Sequence, residues 1–113
     1  MAIEVRKEGE IVIVDISGRM TIGKGDVELR EKFADLLASG ERQFVFNMTG
    51  VSYVDSAGVG ETVACQKRVR EKDGIIRLVM PTEGKVHQIF VIAYLDRAFE
   101  IFENEQEALA AFS

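Results

Sequence analysis

Residues 44–60 read FVFNMTGVSYVDSAGVG, and the rest of the chain is arranged around this stretch. It opens with Phe44-Val45-Phe46, an aromatic and β-branched run that predicts a buried strand. Asn47, Thr49 and Gly50 predict a turn, and a short apolar patch follows at residues 51–54. After Gly60 the apolar spacing becomes helical. The stretch therefore predicts strand, turn and then a helix that begins near Asp55 and Ser56.

Ser56 has two interpretations at this helix N-terminus. As an N-cap it would accept a hydrogen bond from an otherwise unpaired N–H of the first turn. As a phosphate acceptor it would place a phosphoryl group against free N–H groups and the positive end of the helix dipole. Gly58 and Gly60 keep the surface low and would let another protein's active site approach the hydroxyl. The residue types alone leave both interpretations open.

A family resemblance favours the second interpretation. VDSAGVG at residues 54–60, preceded by FNM at 46–48 and VSY at 51–53, resembles the signature of the STAS domain. More closely, it resembles that of the bacterial anti-sigma factor antagonists. In that family a hydrophobic strand and a short loop lead to Asp-Ser-(Ser/Ala)-Gly-(Leu/Val/Ile)-Gly, which opens a helix. The resemblance implies that a partner kinase phosphorylates Ser56.

The same resemblance implies roles for the residues around Ser56. Asp55 would be an orienting or recognition carboxylate, and Gly58 and Gly60 would act through backbone access. The remaining expected partner contacts are the flanking residues and the loop after the second strand: Tyr53, Ala57, Val59, Met20, Thr21 and Ile22. Two departures from the family stand out, because many members carry a second Ser in place of Ala57 and a shorter, less glycine-rich loop in place of residues 19–26.

The implied function is a protein-binding switch and not an enzyme. The unphosphorylated protein would bind an anti-sigma factor that is also an ATP-dependent serine kinase, which frees a sigma factor for transcription. A metal-dependent serine/threonine phosphatase would reverse the modification. The alternative is a STAS subunit of a lipid-transport complex or a stress-signalling scaffold, in which Ser56 is never phosphorylated.

Composition limits the other classes of function. The 113 residues predict one domain, residues 1–113, and 47% apolar with 29% charged residues is typical of a globular protein. A net charge of −5 argues against nucleic-acid binding. One cysteine, Cys65, predicts a buried side chain in a reducing compartment, so we expect a cytoplasmic protein. The longest apolar run, residues 89–95, is too short to insert across a bilayer.

No motif points to catalysis or to a bound cofactor. Ser56 lacks the G-x-S-x-G context of a serine hydrolase, and the sole histidine, His87, has no evident catalytic partner. One Cys and one His cannot form a structural zinc site, and the glycine-rich segment at residues 23–26 lacks the P-loop frame. We therefore expect neither metal nor cofactor.

The order of predicted elements is β-β-α-β-α-β-α-β-α. The strands are expected at residues 3–6, 11–16, 44–46, 75–80 and 99–102, and residues 19–25 are expected to form a loop. Helix caps are expected at Asp26, Thr82 and Asn104, and the third helix is expected to bury Val86, Ile89, Phe90 and Ala93. This order predicts an α/β, STAS-like domain: a mixed four- to five-stranded sheet with about four helices packed on it.

Overall fold

The computed structural model describes residues 1–112. The strands are β1 (Ala2–Glu8), β2 (Ile11–Met20), β3 (Gln43–Val54), β4 (Ile75–Val79) and β5 (Ile101–Phe102). The helices are α1 (Gly25–Ala38), α2 (Ser56–Glu71), α3 (Lys85–Ile92) and α4 (Glu105–Ala110), with a short 3₁₀ helix at Leu95–Arg97. None of these helices is long and apolar enough to cross a membrane.

The five strands form one mixed sheet in the order β1-β2-β3-β4-β5. β1 and β2 are an antiparallel hairpin, and every later pair is parallel. A parallel neighbour needs a crossover connection, and α1, α2 and α3 provide these connections. The predicted α/β architecture with a mixed sheet is confirmed.

The core is divided by the sheet into a large and a small apolar cluster. Strand residues alternate between the two faces, so Phe44 and Phe46 pack with the inner faces of α1, α2 and α3, whereas Val45 packs with Ala108 of α4. Phe33 of α1 contacts both phenylalanines, with ring centroids 4.8 and 5.6 Å apart. This aromatic contact fixes α1 over the centre of the sheet, next to α2.

Strands β2 and β3 extend well beyond their predicted ends. β2 continues to Met20 instead of ending at residue 16, and β3 runs unbroken through the predicted turn at residues 47–50. The pairing of β2 with β3 shifts register between Asp15 and Ser17, and Gly50 lies opposite Ser17 with no room for a side chain. A bulge of this kind absorbs polar and glycine residues without ending the strand. β2 and β3 therefore both extend to the start of α2.

Two predicted helix caps are wrong and one is confirmed. The Asp26 carboxylate accepts a bond from the adjacent Val27 N–H, and α1 begins at Gly25 with Lys24 at its N-cap position. The Thr82 N–H donates to the Glu103 carboxylate, and α3 begins later, after Gly84. Asn104 does cap α4, because its side-chain oxygen accepts from the Glu107 N–H at 2.9 Å.

The segment between α3 and β5 also departs from its prediction. Ala93 is exposed and not on the inner face of α3. Tyr94 then adopts a left-handed conformation and leads into the 3₁₀ helix, so that regular pairing with β4 begins only at Ile101. The expected strand over residues 99–102 is therefore reduced to two residues.

Candidate phosphoacceptor site

Asp55, and not Ser56, caps helix α2. Asp55 has extended backbone geometry, and its Oδ1 accepts a hydrogen bond from the Gly58 N–H at 2.9 Å. Ser56 is the first residue of the helix, and its side chain is exposed. The Ser56 hydroxyl makes no hydrogen bond to any of residues 1–112 that the structure describes. The N-cap interpretation of Ser56 is thus wrong, and its hydroxyl is left facing solvent at the positive end of a helix.

The Asp55 carboxylate also holds the loop between β2 and α1. Its second oxygen, Oδ2, accepts a hydrogen bond from the Ile22 N–H at 3.0 Å. The Asp55 N–H in turn donates to the Met20 carbonyl oxygen at 3.3 Å. The bonds from Ile22 and Gly58 lower the pKa of the Asp55 carboxyl group, because both stabilise its charged form. A charged carboxylate therefore joins the loop to the start of α2.

Met20 and Gly58 pack against each other and are not on the surface. The Met20 side chain is fully buried, so it is not available for the predicted partner contact. Gly58 is also buried, and a Cβ placed on it would lie 2.3 Å from the Met20 carbonyl oxygen. Gly58 thus allows α2 to approach the end of β2, instead of opening a path for a partner. Gly60 is exposed, with nothing near a Cβ at its position.

Ile22 and Tyr53 are the predicted contact residues that are both apolar and exposed. Ile22 is 74% exposed and Tyr53 is 43% exposed. Thr21 is half-buried, and its carbonyl oxygen accepts bonds from the backbone N–H groups of the following turn. Ala57 and Val59 are half-buried, and Val59 packs against the core.

Sequence reasoning did not single out Arg19. Its guanidinium lies 4.8 Å from the centre of the Tyr53 ring, a cation–π arrangement. Arg19 and Tyr53 are register partners on β2 and β3, so the side chains meet because the two strands are paired to their ends. A cation and an aromatic residue near the ends of two neighbouring strands could have indicated this contact. It was missed because β2 was predicted to end at residue 16, before Arg19.

Neither of the other reactive side chains contributes to this site. Cys65 is buried, and burial together with the nearby Glu61 charge raises the pKa of its thiol. His87 lies half-buried on α3. Within residues 1–112 no three His, Cys, Asp or Glu side chains are grouped so as to hold a metal ion. What the arrangement offers chemically is a free hydroxyl beside a charged carboxylate and an exposed apolar loop.

The family model for the STAS domain matches residues 2–108, and the chain belongs to that family. A Thermotoga neapolitana protein that is named as a candidate anti-sigma factor antagonist is 27% identical over 100 residues, which are 88% of each chain.

Two solved structures show the same fold. One is the crystal structure of a candidate anti-sigma factor antagonist from Thermotoga maritima, with a TM-score of 0.88 and 23% identity over 96% of this chain and 92% of that one. The other is the Bacillus cell fate determinant SpoIIAA in its phosphorylated form, with a TM-score of 0.75 and 19% identity over 99% of this chain and all of that one (100%).

Proposed function

We propose that the protein is an anti-sigma factor antagonist whose binding to an anti-sigma factor serine kinase is switched off by phosphorylation of Ser56. The observation that carries the proposal is the exposed Ser56 hydroxyl at the start of α2, which no described residue engages. Asp55 performs the capping, so modification of Ser56 removes no bond that the fold needs. The names of the relatives and the phosphorylated state of SpoIIAA support this role.

The switch acts through charge and hydration. A phosphate on Ser56 adds about −1.5 to −2 charges and a strongly hydrated group. It would lie beside the Asp55 carboxylate, on a chain that already carries a net charge of −5. Repulsion and desolvation of about 2–3 kcal/mol weaken partner binding roughly 30- to 150-fold. The helix N-terminus tolerates the phosphate, so both forms keep the same fold.

The proposal includes the rest of the cycle. In the cytoplasm the partner kinase uses ATP to phosphorylate Ser56, and a metal-dependent serine/threonine phosphatase restores the hydroxyl. The protein itself performs no chemistry. Its effect on transcription comes from sequestering the anti-sigma factor, which releases the sigma factor.

An affinity capture with three baits tests the proposal. The wild-type protein, Ser56→Ala and Ser56→Asp are immobilised and exposed to lysate of the native cell, and retained proteins are identified by mass spectrometry. We expect the first two baits to retain a kinase-related protein and Ser56→Asp to lose it. The retained kinase is then incubated with wild-type protein and ATP, and the modified residue is mapped.

A nearby serine provides the control. Ser52 is also exposed and lies on β3, four positions before Ser56. Ser52→Ala is expected to leave both the capture of the kinase and the phosphorylation of the protein unchanged. If all three baits retain the same membrane-complex or scaffold proteins, the proposal is wrong. The protein would then be an interaction subunit of that assembly, and its Ser56 would not be modified.

A further inference from the structure

The end of helix α3 exposes a run of apolar side chains. Val91, Ile92 and Tyr94 are 41%, 78% and 71% exposed, and Ala93 between them is exposed as well. Residues 1–112 expose six large apolar side chains, and these are three of them. Single exposed apolar side chains are normal on a protein surface, whereas adjoining ones mark a site of interaction. This α3 patch, residues 91–94, therefore has the character of an interaction surface.

The backbone presents the Tyr94 ring in a conformation that disfavours a large side chain. Tyr94 follows the C-cap of α3 and has a φ of 61°. The residues at the same position after α1 and α2 are Gly40 and Asp73, which also have positive φ. Glycine adopts this left-handed conformation without strain and aspartate tolerates it, but for a bulky residue it is an outlier. A tyrosine kept where glycine would fit better points to a use for its ring at the surface.

Two unpaired charges of opposite sign follow the α3 patch. Asp96 and Arg97 are exposed, and neither forms an ion pair with any of residues 1–112. The Arg97 guanidinium lies 5.8 Å from the centre of the Tyr94 ring, so the cation borders the patch. An acidic partner or a basic partner would match only one of these two adjacent charges. A surface that presents both signs matches both.

The other charges nearby are also mixed in sign. Arg97 lines a groove together with Arg70 and Glu100, and the Glu100 carboxylate is paired with Arg77 at 3.2 Å. Lys85, the other charged residue of α3, lies at the opposite end of the helix. The whole chain has a net charge of −5, so two copies repel each other in general. The surroundings of the α3 patch are not acidic, and two copies can approach each other there without that repulsion.

We propose that the α3 patch is a self-association surface, which a second copy of this chain covers about a two-fold axis. In a two-fold interface, residue i of one copy meets residue j of the other and the reverse contact forms as well. Adjacent Asp96 and Arg97 therefore form two ion pairs between the copies. Ile92 and Tyr94 of both copies pack together between these pairs. The dimer removes the apolar side chains from water and pairs the charges that one copy leaves unpaired.

The dimer is weak and leaves both phosphoacceptor sites open. Residues 91–97 bury less than the roughly 800 Å² per partner of a stable interface, so we expect a Kd on the order of 100 μM. The groove beside Arg97 is lined by Gln66, which lies about 15 Å along α2 from Ser56. The dimer therefore carries two accessible Ser56 hydroxyls and can engage two partner molecules at once. The inference does not depend on which partner binds at Ser56.

Sedimentation equilibrium of the full chain, at protein concentrations below and above the expected Kd, tests the inference. We expect a reversible equilibrium between monomer and dimer. Ile92→Ser should weaken dimerisation about tenfold, because the interface loses apolar contact. Tyr94→Gly should weaken it as well without lowering the urea midpoint of unfolding, since glycine suits the left-handed backbone. A lower midpoint with unchanged dimerisation would make Tyr94 a structural residue and remove it from the interface.

Exchange of the two charges tests the pairing itself. Asp96→Lys and Arg97→Glu each place like charges opposite one another in the dimer, and each should weaken dimerisation at least about tenfold. An equal mixture of the two variants re-forms both ion pairs, so the mixed dimer should be as tight as the wild-type dimer. Glu31→Lys, at an exposed position of α1, changes the net charge as Asp96→Lys does and should leave dimerisation unchanged.

Three results would overturn the proposal. The first is a wild-type protein that stays monomeric at every concentration. The second is a mixture of the two charge variants that dimerises no better than either variant alone. The third is dimerisation that Ile92→Ser leaves unchanged, which would place the interface elsewhere. If a monomeric wild-type protein sediments with phosphatidylglycerol vesicles and Ile92→Ser abolishes this, the α3 patch binds a lipid surface instead.

Discussion

Gly58 and Gly60 lie two positions apart in α2, and their surroundings differ completely. A Cβ on Gly58 would meet the Met20 carbonyl oxygen at 2.3 Å and Val54 Cγ2 at 2.7 Å. A Cβ on Gly60 would have no neighbour within 4 Å. At the scale of single residues, therefore, one glycine is required by the packing of α2 on β2, and the other only weakens the helix.

Alanine substitutions at the two glycines should have opposite effects on stability. Gly58→Ala should lower the free energy of unfolding by about 1–3 kcal/mol, because backbone atoms must move to make room. Gly60→Ala should raise it by about 0.5–1 kcal/mol, since alanine restricts the unfolded chain and favours the helix. Urea unfolding followed by circular dichroism measures both. Equal effects of the two substitutions would mean that α2 shifts freely away from Met20.

At the scale of elements, Glu61 joins α1 to α2. Its side chain is only 6% exposed and lies 3.5 Å from Arg30 of α1 and 3.3 Å from Arg68 of α2. The two arginines remain 47% and 37% exposed, so water reaches their outer atoms. A carboxylate between two partly hydrated cations orients the helices without leaving any buried charge unpaired.

Removing this carboxylate should loosen the contact between α1 and α2. Glu61→Ala should lower the free energy of unfolding by about 1–3 kcal/mol, through the lost ion pairs and the gap left in the packing. The arginines can rehydrate, which keeps the effect below that of stranding a fully buried charge. Glu71→Ala, on the exposed side of the same helix, should change stability by less than about 0.5 kcal/mol. A Glu61→Ala effect as small as this control would show that the ion pairs do not stabilise the helix pair.

At the scale of the whole molecule, one sheet with helices on both faces encloses the core. Its Cα radius of gyration is 12.7 Å, and Cys65 lies with no exposure in the larger cluster. Burial raises the pKa of this thiol, and the Glu61 charge adds to the effect. The reactive thiolate therefore forms only after the surrounding core opens.

Labelling of Cys65 by a thiol reagent should report global unfolding. In native buffer the reaction should be slower than that of an unfolded control by a factor that corresponds to the whole free energy of unfolding. The measurement compares labelling rates over a range of urea concentrations with the equilibrium unfolding curve. If Cys65 is labelled much faster than the free energy of global unfolding predicts, α2 opens locally without unfolding of the whole protein.

The features that depend on neighbouring residues were predictable from the sequence. The run at Phe44–Phe46, the start of α2 at Asp55 and Ser56, and the cap at Asn104 follow from side-chain type and spacing within a few positions. The order of elements, and with it the mixed sheet, followed from the same local signals. The DSAGVG segment also carried the resemblance to the STAS family, which the family model over residues 2–108 confirms.

The features that join distant parts of the chain were not predictable, because they depend on how the chain folds in three dimensions. β2 pairs with β3 through two register shifts, between Asp15 and Ser17 and between Gly18 and Arg19, and the second shift places Arg19 opposite Tyr53. The bond between Asp55 and Ile22 spans 33 positions, and no local pattern contains both residues. Asp26 and Thr82 have the side chains of helix caps, yet neither caps a helix, since a cap also requires the backbone to turn at that residue. Strand register and side-chain packing determine these features, because both depend on which distant parts of the chain come into contact.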